Sequence, residues 1–108
     1  MKFIDYEKES ERTADPHEYE LLNYGLGIAG EAGEVADLIK KYHFHGHDIP
    51  QDEIKKELGD VLWYLTRIAA HVGIGLEEVA TANIKKLKNR YPNGFDTEKS
   101  IYRGEELK

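Results

Sequence analysis

Apolar residues recur along most of this chain every three or four positions, the spacing of a helix with one covered face, and no stretch alternates as a strand would. Four segments carry the pattern. The first runs from Lys2 to Thr13 and ends before Asp15-Pro16, because a proline disfavours helical backbone in the residue preceding it. The second runs from His17 to Tyr42 or slightly beyond, with Leu21, Tyr24, Ile28, Val35, Leu38, Ile39 and Tyr42 in helical register. A loop from His43 to Pro50 follows. The third helix spans Gln51 to Val72 and stops at Gly73-Ile74-Gly75; the fourth spans Leu76 to Tyr91 and stops at Pro92-Asn93-Gly94. The expected fold is all-α: a four-helix bundle-like single domain over residues 1–95. Residues 96–108 form a charged tail, expected to be either disordered or packed on a neighbouring subunit.

Gly25, Gly27, Gly30 and Gly33 all fall inside the second helix, and each weakens it by roughly 1 kcal/mol relative to alanine. Close approach by another helix or by a ligand would explain them.

Two interruptions of the apolar pattern matter more. Projected at about 100° per residue, Glu31 sits in the middle of the second helix's apolar stripe, between Leu38 and Tyr24, and Glu34 borders that stripe about 60° away. The third helix repeats the arrangement. Glu57 lies between Tyr64 and Ile68, and Asp60 borders them about 60° away. A single Glu-x-x-Glu usually marks a solvated face. Two acidic pairs centred on the apolar stripes of successive helices do not fit that reading. Burying unpaired carboxylates costs several kcal/mol, and either protonation or a bound cation must offset it. Oxygen donors alone favour a hard ion, Mg²⁺ with Mn²⁺ able to substitute. A di-iron bundle needs Glu-x-x-His on two helices, and neither pair supplies the histidine.

On the fourth helix, Asn83 and Arg90 fall on the inward face and Lys86 at its border. An amide and two cations suit an anionic ligand, with arginine able to hold phosphate in a bidentate way. The plainer alternative has both cations snorkelling into solvent. Trp63 points about 120° away from Glu57, toward another helix or a subunit interface. The loop His43-Phe44-His45-Gly46-His47 holds three histidines in five residues, a spacing that can bind a transition metal but more often marks a polar loop.

Composition narrows the field. At 108 residues there is room for one core only, of a size that oligomerisation commonly supplements. The net charge of −6 disfavours a nucleic-acid binder, which needs a basic surface. It leaves room for a phosphorylated small molecule, since a divalent cation reverses the local sign. No cysteine is present, so disulfides and thiolate metal sites are excluded. The apolar stretches are too short to span a membrane, and MKFIDYEKESE lacks the apolar core of a secretory signal, so a cytoplasmic location is expected.

Three segments together, G-L-G-I-A-G-E-A-G-E-V-A-D-L-I-K-K from Gly25, E-L-G-D-V-L-W-Y-L from Glu57 and A-N-I-K-K-L-K-N-R-Y-P-N-G-F from Ala82, resemble the MazG-like branch of the all-α nucleoside triphosphate pyrophosphatases. Its Glu-x-x-Glu and Glu-x-x-Asp motifs are matched at all four acids. The resemblance implies Mg²⁺-dependent hydrolysis of (deoxy)nucleoside triphosphates between the α and β phosphates, in service of nucleotide-pool cleansing. Under it, Glu31, Glu57 and Asp60 are metal ligands. Glu34 is both a ligand and the general base, and Tyr64, Asn83, Lys86 and Arg90 contact the phosphates. Members assemble as homodimers or homotetramers, and neither nucleic acid nor membrane is an expected partner. Tyr24 and His17 are candidates to line the base pocket. The alternatives are a biosynthetic relative of the phosphoribosyl-ATP or dUTP type, and a non-catalytic helical interaction module that binds metal only for stability.

Overall fold

The computed structural model describes residues 1–101. It is helical throughout: α1 spans Phe3–Ser10, a 3₁₀ turn follows at Glu11–Thr13, α2 spans Glu20–Phe44, α3 Gln51–His71, α4 Leu76–Arg90 and α5 Thr97–Ile101. The four expected helices are present in order. The chain divides into two compact units, Met1–Gly75 and a second beginning at Leu76. The expected tail is helical over α5, a segment too short to show a periodicity. Residues 102–108 of that tail lie outside the described residues.

Local chemistry sets the boundaries. Before α2, the His17 carbonyl accepts from the Glu20 amide (3.1 Å) and the His17 Nδ1 accepts from the Tyr19 amide (3.2 Å). This turn starts the helix three residues later than its pattern suggests. At the other end Gly46 adopts φ 73, and the amides of His45 and His47 both reach the Lys41 carbonyl. α3 closes with Gly73 at φ 81, its amide on Ala70 and the Ile74 amide on Ala69. That pair of bonds around a left-handed glycine is a Schellman motif.

In the first unit α2 packs along α3, and α1 packs on α3. The Tyr24 ring, 2% exposed, meets the Trp63 ring edge-on at 5.6 Å between centroids. Thr66, Arg67 and Ala69 are buried beside them, as is Ser10 of α1. Trp63 turns away from Glu57 as its register requires, and its Nε1–H donates to the Ser10 carbonyl at 3.1 Å. Toward both ends of α2, Leu21, Ile39 and Tyr42 remain exposed despite their place on the apolar stripe.

The glycines of α2 divide sharply. A Cβ at Gly27 would overlap the Tyr64 ring, so here close approach by a neighbouring helix does require glycine. At Gly25, Gly30 and Gly33 a Cβ would meet nothing within 4 Å among the described residues. Leu22 and Leu26 (67% exposed) stand on that same uncovered side.

Candidate metal centre

Pairing α2 with α3 brings Glu31 opposite Glu57, with Asp60 one turn further along α3. Each of the three offers a carboxylate oxygen, and all three oxygens lie within 4.8 Å of one another. Glu31 and Glu57 are half-buried and Asp60 is exposed. Among the described residues no other trio of His, Asp or Glu converges in this way.

Electrostatics record the crowding. The Glu31 carboxyl is held above its ordinary range, first by hydrogen bonding with Glu57, then by partial burial, then by the charges of Asp60, Glu57 and Glu34. Two carboxyl groups at this separation share a proton more readily than both ionise. A hard divalent cation would relieve the same repulsion, and the all-oxygen donor set fits Mg²⁺ or Mn²⁺.

The remaining expected site residues are distributed less evenly. Glu34 is exposed and stands outside the three-carboxylate group, although its charge reaches Glu31. Tyr64 follows Asp60 by one turn, half-buried, with its ring against Gly27. Asn83, Lys86 and Arg90 belong to the second unit. Asn83 and Lys86 are exposed, as is every position of α4 from 81 to 89. Arg90 is buried, 6% exposed, with its guanidinium 5.9 Å from the Tyr91 ring centroid. His17 is exposed, whereas Tyr24 is too buried to meet a base directly. Its hydroxyl donates to Glu20 at 2.5 Å, and burial with that bond pushes its pKa up to about 12. His43, His45 and His47 do not form a convergent group; His43 packs its ring edge-on against Tyr42 at 4.8 Å.

Two residues near the acids escaped the sequence reading. Arg67 follows Asp60 by seven positions on α3, on the same face, and is only 7% exposed. Its Nη2 donates to the Glu7 carbonyl at 3.4 Å, while its buried Nε has no hydrogen-bond partner. Tyr6 of α1 is half-buried, and its hydroxyl is pushed up first by burial, then by the Asp60 charge, with Arg67 opposing. The Tyr6 hydroxyl therefore lies within reach of both charges. Neither residue stands out in the sequence, because contact between α1 and α3 joins positions more than 50 residues apart.

Comparison with known proteins adds family context. The family described as the MazG nucleotide pyrophosphohydrolase domain matches residues 20–95. The Gene 37 protein of Mycobacterium phage L5 is 34% identical over 73 residues, an alignment covering 64% of this chain and 64% of that protein. The chain thus spans under two-thirds of that relative's length. No solved structure matches.

Proposed function

This chain belongs to the MazG nucleotide pyrophosphohydrolase family, and from that premise we propose that it hydrolyses (deoxy)nucleoside triphosphates between the α and β phosphates, giving the monophosphate and pyrophosphate. The observation carrying the reading is the convergence of Glu31, Glu57 and Asp60 on one point between two helices. These three would hold Mg²⁺, with Mn²⁺ able to substitute. When bound, the ion supplies Lewis-acid polarisation of the phosphoryl oxygens and neutralises charge on the leaving pyrophosphate.

The protein's own groups do the rest. Glu34 is exposed one turn from Glu31 and, with its charge in reach of the centre, takes a proton from the attacking water as general base. The water oxygen bonds to the α phosphorus. The bridging bond breaks, and its electrons leave with pyrophosphate. Tyr64 has its ring fixed by Gly27 and offers a hydroxyl to the phosphates from the turn above Asp60. Asn83 and Lys86, exposed on α4, are further proposed phosphate contacts. Arg90 is the weakest of that set, being buried against Tyr91.

The setting follows from the surface. The uncovered side of α2, with Leu22, Leu26, Gly25 and Gly33, suits a second copy of the chain, as a homodimer or within a homotetramer. A net charge of −6 argues against nucleic acid as a partner. Among the described residues no helix is long and apolar enough to cross a membrane, and a cytoplasmic role in clearing unwanted nucleotides is consistent with that.

Substituting Glu34→Gln tests the assignment. The variant should keep its fold and Mn²⁺ affinity while pyrophosphate release falls by roughly 10²- to 10⁴-fold, the usual contribution of a general base. Full release by a folded, metal-binding variant would remove Glu34 from the mechanism.

A further inference from the structure

Arg67 is the unusual charge of the first unit. Arginines are rarely buried without an ionic partner, because the lost hydration costs several kcal/mol. Among the described residues no carboxylate oxygen lies within 4.0 Å of its guanidinium, and its Nε–H, fully shielded from solvent, donates to nothing. The bond from Nη2 to the Glu7 carbonyl ties down the last turn of α1, whose carbonyl end favours a cation. That contact uses one of five N–H donors. It accounts for the position of the side chain and leaves the buried Nε–H unpaired.

Acidic groups stand to two sides of it: Glu20 and Asp15, whose charges meet that of Arg67 at the Tyr24 hydroxyl, and the acid centre further along α3. Asp60 and Arg67 are two helical turns apart on one face of α3, about 10 Å along the axis. The half-buried Tyr6 of α1 senses both charges.

Resting on the reading of the acids as a metal and triphosphate site, we propose that Arg67 is a positioning residue of that site. It is a built-in cation whose field moderates the pull of Glu31, Glu57 and Asp60 on divalent metal and favours approach of the polyanionic triphosphate. A guanidinium is suited to this because it stays charged when buried. Arg67 lies at positions the family match covers, whereas α1, which it anchors, precedes the matched residues 20–95.

The proposal predicts shifts of opposite sign. Arg67→Met keeps the side chain's bulk and removes its charge. Mn²⁺ binding, read by calorimetry or electron paramagnetic resonance, should tighten by about three- to tenfold, the screened effect of one charge near 10 Å at an effective dielectric of about 20. Binding of an α,β-methylene triphosphate analogue to the Mn²⁺-loaded protein should weaken by a similar factor. Arg67→Lys should restore both values most of the way, and it guards against a Met variant that fails to fold. Loss of a merely structural arginine would weaken both ligands together or neither, and either result overturns the proposal. If the wild type hydrolyses no nucleotide but the opposed shifts appear, the hydrolytic reading falls and the role of Arg67 stands. A wild type that binds no Mn²⁺ overturns both.

Discussion

Substituting Gly27→Ala separates two opposing effects that the structure makes unequal at neighbouring glycines. Replacing glycine by alanine inside a helix ordinarily stabilises by about 1 kcal/mol. At Gly33, where a Cβ meets nothing within 4 Å, that gain should appear in full in the isolated chain. At Gly27 the new methyl would overlap Cε1 and Cζ of the Tyr64 ring, so the ring or the α2–α3 spacing must shift. Overpacking of this kind costs about 1–3 kcal/mol. The net effect at Gly27 is therefore between neutral and about 2 kcal/mol destabilising. Thermal unfolding at low protein concentration reads the difference, since 1 kcal/mol corresponds to roughly 4 °C or more in a domain of this size. Gly33→Ala should melt higher than wild type and Gly27→Ala at or below it, with Tyr64 displaced and triphosphate KM raised. A Gly27→Ala protein that gains as much stability as Gly33→Ala would refute the packing of α2 on α3 at the metal centre. A decrease at Gly33 that grows with protein concentration would instead mark the uncovered side of α2 as the contact with a second copy.

Two further outcomes follow from the same geometry. Trp63→Phe removes the donor to the Ser10 carbonyl and should cost about 1 kcal/mol, the net value of one hydrogen bond; an unchanged melting temperature would argue against docking of α1 on α3. The second concerns pH. Because Glu31 is held above its ordinary value of 4.5, the folded, metal-free protein binds more protons than the unfolded chain between that value and the raised one. Its stability should therefore fall as pH rises through this window. Comparing wild type with Glu31→Gln in chelator isolates the effect, and saturating Mg²⁺ should abolish it. A metal-free difference that grows in favour of wild type with rising pH would contradict the crowding of the carboxylates.

The acids were legible in the sequence because each breaks a strict helical stripe: Glu31 lies between Leu38 and Tyr24, and Glu57 between Tyr64 and Ile68. A charge where packing wants an apolar side chain is a local signal, and the register of two helices carries it. Trp63 was readable for the same reason, since its angle excluded the metal face. Arg67 was not. By register it looks like one more surface cation, and only α1 folding back from more than 50 residues away buries it. The glycines of α2 announced close approach without saying which had a neighbour, because Tyr64 reaches only Gly27. On α4 the register puts Asn83 on one face of the helix, but register alone does not say what that face meets, and positions 81 to 89 are exposed.

If the carboxylates between α2 and α3 serve triphosphate hydrolysis through a bound divalent ion, turnover must depend on that ion and on those side chains. Incubating the protein with canonical and damaged (deoxy)nucleoside triphosphates, with and without Mg²⁺, and separating the products tests it most directly. Monophosphate and pyrophosphate should appear in equal amounts from at least one nucleotide only with Mg²⁺ present, and both should vanish with chelator and with Glu57→Gln. Release of orthophosphate with a diphosphate left behind, or no turnover of any nucleotide by a folded, Mn²⁺-binding protein, would contradict it.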